Sequence, residues 1–311
     1  MKPNPRPIGI IIVSLIRRAG CRLWLAIALS GCQSLPPASV QRSIAVNGAT
    51  LSYVEQGTGT PIVFLHGAVS DHRAWDMQRE AVSGKYRFIA LSMRYFGTTP
   101  WPDAGASFSQ TNHIADVAAF IRELKLGPVI LVGTSYGAST AMVTALRHPE
   151  LVRGLFLNEP PLVSVLVSPA DRALAAEDLK ARGPIGEALK AGHNDAAMKL
   201  FIDWANNQAG YFESLPALKR TMYLDNARTL PVQLAQAAPV PITCEQLGQI
   251  KVPTVFTRGD LGLPHLRAVA ENASRCIPAS RLITFEGARH GAPTEMADAF
   301  NDALLAFLPG G

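Results

Sequence analysis

Gly133-Thr134-Ser135-Tyr136-Gly137 is the segment of this 311-residue chain best suited to chemistry. An apolar run, Pro128-Val129-Ile130-Leu131-Val132, precedes it, and an alanine-rich stretch from Ala138 to Arg147 follows it. That order predicts a buried strand, a sharp turn and a helix, with Ser135 at the turn, which is the pattern of a nucleophile elbow. The two glycines leave room for a strained backbone and for strand and helix to approach closely. The helix would aim its N-terminus, with free N–H groups and the positive end of its dipole, at the point where negative charge develops. A serine hydroxyl is a poor nucleophile until a base accepts its proton, so the turn calls for a base and a group to orient it. The bland alternative is an ordinary strand-to-helix turn.

The elements that must position such a site follow from hydrophobic patterning. Ile44 to Val54 reads as a hairpin turning at Asn47-Gly48. Pro61 to Leu65, Tyr86 to Ser92, Arg153 to Leu157, Thr254 to Thr257 and Arg281 to Phe285 read as strands, most of them apolar throughout. Ser109 to Leu126 is an amphipathic helix, and a last helix runs from about Glu295 to Leu308. From Pro160 to Pro241 no strand is expected; the stretch is helix-forming, with breaks at Gly183-Pro184 and Pro231. Alternating strands and helices predict an α/β fold, a mostly parallel central sheet with helices on both faces, with the helical stretch inserted as a lid. The expected organisation is a leader at 1–32, a tether at 33–43, a core at 44–159 and 246–311, and a helical cap at 160–245.

The formal net charge of +5 belongs to the leader. Its first 32 residues hold five of the 29 basic residues and no acid, which leaves 24 of each sign in the remainder. No basic patch with interleaved aromatics suggests nucleic-acid binding, no Cys/His cluster has metal-ligand spacing, and no cofactor is implied. Arg17, Arg18 and Arg22 precede a short apolar run that ends in Leu29-Ser30-Gly31-Cys32. This is the form of a secretory signal peptide. Its end resembles the lipobox of bacterial lipoproteins, which implies export, lipidation of Cys32 and a membrane anchor; Ser34 favours the outer membrane by analogy with the sorting pattern. An uncleaved anchor, or a mis-called start with no export, is the alternative. Cys244 and Cys276 would remain as ordinary thiols, free to pair in an oxidising compartment.

From about residue 44 onward the chain resembles α/β-hydrolase-fold proteins with a helical cap. The resemblance rests on His66-Gly67 after a strand, Arg94-Tyr95-Phe96-Gly97, the Ser135 elbow and a late His290-Gly291. The family order of serine, acid, histidine makes His290 the general base, with His265 as its only rival. The resemblance also supplies oxyanion donors: the backbone N–H of Tyr136, directly after the nucleophile, and that of Ala68.

Two carboxylates compete to be the acid. Most relatives carry an aspartate three residues after the glycine ending the penultimate core strand, but here that position is Gly262. Asp260 lies close by. Glu159 ends the strand after the elbow helix and would emerge at the same sheet edge, as in haloalkane dehalogenases and zearalenone-type lactonases; it is preferred. Haloalkane dehalogenases and epoxide hydrolases attack with a carboxylate at the elbow, whereas a serine forms an acyl-enzyme. The expected function is therefore hydrolysis of a carboxylic ester or lactone. An amide or aminopeptidase-type hydrolase, with Glu177 and Asp178 as weak candidates to grip an amine, and a non-catalytic binding protein are the alternatives. The absence of a charged pocket motif favours an uncharged substrate.

Overall fold

The computed structural model describes residues 40–236 and 241–310. The leader at 1–32, Cys32 and most of the tether lie outside the described residues.

Eight strands form one sheet in the order β1-β2-β4-β3-β5-β6-β7-β8. β1 (Val40–Val46) and β2 (Ala49–Gln56) are the predicted hairpin. Its turn residues Asn47 and Gly48 have φ of 44° and 74°, the left-handed pair that matches the twist of a tight hairpin. β3 (Pro61–Leu65), β4 (Arg87–Leu91), β5 (Val129–Thr134), β6 (Val152–Asn158), β7 (Thr254–Gly259) and β8 (Ser280–Phe285) run parallel to one another. β2 joins β4 antiparallel.

The apolar runs are continuous because both faces of the sheet are covered. Val63, Leu65, Leu131, Leu155 and Phe256 pack on one side with α2 (Gln110–Glu123), α3 (Tyr136–Arg147) and α11 (Pro264–Cys276). The alternate residues Ile62, Phe64, Ile130, Val132 and Phe156 pack on the other with α1 (Asp76–Ser83) and α13 (Ala297–Leu305). Ser109 caps α2, its hydroxyl accepting the Asn112 N–H at 3.1 Å.

Between β6 and β7 the described residues form helices and no strand: α4 (Pro169–Lys180), α5 (Gly183–Lys190), α6 (Asn194–Ala205), α7 (Tyr211–Ser214), α8 (Ala217–Asp225), α9 (Thr229–Ala235) and α10 (Cys244–Leu247). They have an apolar cluster of their own, built on Ile185, Met198, Ile202, Tyr211, Phe212 and Leu230. Two expectations need correction. Pro231 does not break a helix; it sits in the first turn of α9, where its missing N–H has no intrahelical acceptor to lose. The last helix is interrupted at Met296 (φ −128°, ψ 49°), which separates α12 (Ala292–Glu295) from α13. Cys244, the first residue of α10, is joined by a disulfide to Cys276, the last of α11.

Candidate active site

Ser135 stands at the junction of β5 and α3 with φ 52° and ψ −120°, a conformation an L-residue holds only when its surroundings enforce it. Its N–H donates to the Asn158 carbonyl at 2.8 Å, and its own carbonyl accepts the Ser139 N–H at 3.1 Å. The flanking glycines are steric necessities. A Cβ on Gly133 would lie 2.6 Å from the Ala138 Cα, and one on Gly137 would lie 2.2 Å from the Leu65 carbonyl oxygen.

His290 lies in the loop after β8, and its Nδ1 meets Glu159 Oε2 at 2.5 Å. The carboxylate oxygen accepts, so Nδ1 is the donor, and in the neutral ring Nε2 is then the acceptor. Glu159 is wholly buried, and its other oxygen accepts the Gly259 N–H at 2.9 Å. Its φ of 42° is a further strained backbone position at this sheet edge. Asp260 does not meet His290. Its Oδ1 accepts the Gly287 N–H at 2.7 Å, and its carbonyl accepts from Arg267 at 2.8 Å.

The sequence did not single out Asn158, which is buried at the end of β6. Its Nδ2 donates to Thr134 Oγ1 at 3.0 Å and to the His290 carbonyl at 3.1 Å, while its Oδ1 accepts from Thr257 Oγ1 at 2.9 Å. One amide thus ties β5, β7 and the histidine loop to β6. Asn206, just past α6, adds a second tether, its Oδ1 accepting the Gly291 N–H at 2.9 Å. Neither residue belongs to a motif; each acts through partners distant in sequence.

Ser135, His290, Ala68 and Tyr136 line one cavity of about 680 Å³ beneath the helices that follow β6. Tyr136 is the first residue of α3, where helix geometry leaves the N–H without an intrahelical acceptor. Gly67 lies against the serine, since a Cβ there would be 3.4 Å from Ser135 Cβ. No hydrogen bond joins Ser135 Oγ to His290 among the described residues; such contacts commonly tighten only when substrate binds.

The other histidines have different work. His66 Nδ1 donates to the Gly67 carbonyl at 2.8 Å and Nε2 accepts the Met93 N–H at 3.0 Å. Burial pushes its pKa down to about 4. His113 Nε2 donates to the Arg94 carbonyl at 3.1 Å and Nδ1 accepts from the Tyr136 hydroxyl at 2.7 Å. Burial pushes it down to about 3. His265 lines the cavity, but its Nδ1 pairs with Asp178 Oδ2 at 2.6 Å. Asp178 is therefore occupied, and Glu177 is exposed beside Lys180 at 3.8 Å, so an amine-gripping pair is not assembled from these two. Arg94 is held by Asp116 through two bonds of 2.8 Å, a structural role.

Two cationic side chains that no sequence motif marked, Arg182 and Lys219, line the cavity. Lys219 Nζ donates to the Ala74 carbonyl at 2.8 Å and the Arg73 carbonyl at 3.3 Å, and burial pushes its pKa down to about 8. Among the described residues no His, Cys, Asp and Glu cluster could hold a metal ion.

Similarity to known proteins accords with this geometry. An epoxide hydrolase of Caballeronia sordidicola is 32% identical over 122 residues, which is 39% of this chain and 37% of that protein. A 2-(acetamidomethylene)succinate hydrolase of Mesorhizobium japonicum is 29% identical over 150 residues, 48% of this chain and 51% of that protein. The chain thus spans about half or less of the length of these curated relatives. A carboxylesterase from Bacillus subtilis has the same fold, with a TM-score of 0.70 at 20% identity over 88% of this chain and 93% of its own. The model of the alpha/beta hydrolase family matches residues 62–303; with the eight-stranded sheet and its helices, this chain belongs to that family.

Proposed function

We propose that this protein is a serine hydrolase of carboxylic esters or lactones. The observation that carries the reading is the 2.5 Å contact between buried Glu159 and His290 Nδ1, in a cavity also lined by the elbow serine. Glu159 fixes the imidazole with Nε2 unprotonated and stabilises the imidazolium once it forms. Ser135 Oγ attacks the carbonyl carbon while its proton passes to Nε2. The oxyanion is met by the N–H groups of Ala68 and Tyr136 at the N-terminus of α3. Collapse expels the alcohol, which takes the proton from Nε2 and leaves an acyl-enzyme. A water then attacks with the same nitrogen as base, and the acid departs. Elbow chemistry of the epoxide hydrolase kind needs a carboxylate where this chain has Ser135.

The helices from α4 to α10 act as the cap of this site in the same reading. The protein is exported and held to a membrane through Cys32; the Cys244–Cys276 disulfide supports an oxidising compartment.

Labelling with a fluorophosphonate, with the adduct mapped by mass spectrometry, tests the reading. Rapid modification at Ser135 that is lost in His290→Ala supports it. A folded protein that neither reacts nor hydrolyses a short-chain activated ester is a binding protein on this fold.

A further inference from the structure

The wall of the cavity carries an arginine that no described residue neutralises at contact distance. Arg182 lies between α4 and α5, and its guanidinium carbon sits 4.0 Å from the centroid of the Trp204 ring. Trp204 is itself fixed, donating from Nε1 to the Asp178 carbonyl at 3.0 Å, and it stacks near His265 with centroids 6.3 Å apart at 27°. The guanidinium therefore rests on a set platform. Its Nε is buried without a hydrogen-bond partner. Among the described residues Arg182 has no carboxylate within 4.0 Å. The acid that acts on it from further off is Asp178, whose Oδ2 is already bonded to the ring and backbone N–H of His265 at 2.6 and 3.3 Å.

Arginine does not escape such a place by losing its proton, and a half-buried guanidinium with an unpartnered Nε gains from an anion at its edge. The neighbouring cavity wall from α4, Ala175, Ala176 and Leu179, offers it no polar partner. With one face taken by Trp204, the guanidinium is left to present the N–H groups along its edge. That edge fits the two oxygens of a carboxylate. A single positive charge suits a monoanion, and the field of Asp178 opposes a group of higher charge. Lys219, the other cation of this cavity, has two donors committed to carbonyls.

We infer that Arg182 binds a substrate carboxylate, and that the substrates are esters bearing a free carboxylate remote from the scissile carbonyl, half-esters of dicarboxylic acids being the simplest class. This rests on the serine-hydrolase reading for turnover, but not for binding.

The test separates the two. Ser135→Ala protein is titrated calorimetrically with monoethyl adipate, which carries the carboxylate on the acyl side, and with 4-acetoxybutyrate, which carries it on the alcohol side. Arg182→Gln in that background weakens the preferred ligand by about 10- to 100-fold, the range of a charge-assisted pair, and Arg182→Lys falls between. In the Ser135-containing enzyme, Arg182→Gln lowers the ratio of kcat/KM for the half-ester over ethyl hexanoate by a similar factor. A purely packing role on Trp204 lowers both substrates together and leaves that ratio unchanged, which overturns the inference. So does equal binding with and without the arginine. Arginine-dependent binding without turnover in the Ser135 enzyme removes the hydrolase reading and leaves the carboxylate site standing. Should the glutamine variant not fold, the lysine variant carries the same comparison.

Discussion

The carboxylate of Glu159 fills the space that a side chain at Gly262 would need. A Cβ on Gly262 would lie 3.0 Å from Glu159 Oε1 and 3.5 Å from Oε2. The two positions are alternative sources for one carboxylate, and only one can be used at a time. The glutamate comes from β6 with a φ of 42°, a strain of order 1 kcal/mol or more that glycine would not bear. Glu159→Gln is expected to lower kcat by roughly 10⁴-fold while leaving the fold intact, because the wrong imidazole tautomer results. Gly262→Asp alone clashes with Glu159. Glu159→Gly with Gly262→Asp is expected to recover at least about tenfold over Glu159→Gly alone. Asp260→Asn is expected to stay near wild type in steady-state kinetics, and a loss as large as that of Glu159→Gln would assign the acid to Asp260 instead.

Stability should fall on mild acidification. His66 Nε2 and His113 Nδ1 both accept hydrogen bonds, so both rings must stay neutral in the native state. Their native pKa values are pushed by burial down to about 4 and about 3, against 6.5 for an unperturbed histidine. The unfolded chain therefore binds the extra protons first. Stability is full above pH 6.5 and falls as the pH drops through that value, by up to about 1.4 kcal/mol per pH unit for each histidine. Burial lowers His72 and His265 as well, which adds in the same direction. Urea midpoints at pH 7, 6 and 5 check this, since ordinary carboxylates titrate below that window. A flat midpoint would exclude it.

The disulfide should be worth several kilocalories. It closes a sequence separation of 32 residues between α10 and α11, for which loop entropy gives about 3–4 kcal/mol. Cys244→Ser with Cys276→Ser is expected to lower the melting temperature by roughly 5 °C in a chain of this size. Scanning calorimetry with and without reductant tests it; the wild type in reductant should approach the double variant.

Asn158 should matter to both stability and rate. Asn158→Ala leaves the Thr134 and Thr257 hydroxyls and the His290 carbonyl without this partner, at about 1–3 kcal/mol for each group left unpaired. It also loosens the loop that carries the proposed base, His290. A fall in kcat of about tenfold or more, with KM little changed, is expected. A variant that loses stability but keeps kcat would make Asn158 a purely structural hub.

The elbow was legible because its determinants are local. Two glycines, an apolar run and a helix former are contiguous, and the clashes at Gly133 and Gly137 are what that spacing encodes. The inner strands β3 to β7 were legible from apolar runs buried on both faces. Glu159 and Asp260 both end strands of the same sheet edge, and what separates them is the small space beside Gly262. Arg182, Asn158, Asn206 and Lys219 carried no signal, since each matters through a neighbour that only the folded chain supplies; Asn158 and His290 lie 132 residues apart.

Asn206 sits just past α6, a helix above the sheet, yet the backbone it holds belongs to the histidine loop. The helices after β6 and the histidine loop share a fastening. An outward displacement of α6 large enough to admit a bulky molecule would pull on the Gly291 amide, leaving Asn158 to hold the neighbouring His290 carbonyl. Any shift of α6 would therefore reach the loop that carries His290 through this one hydrogen bond.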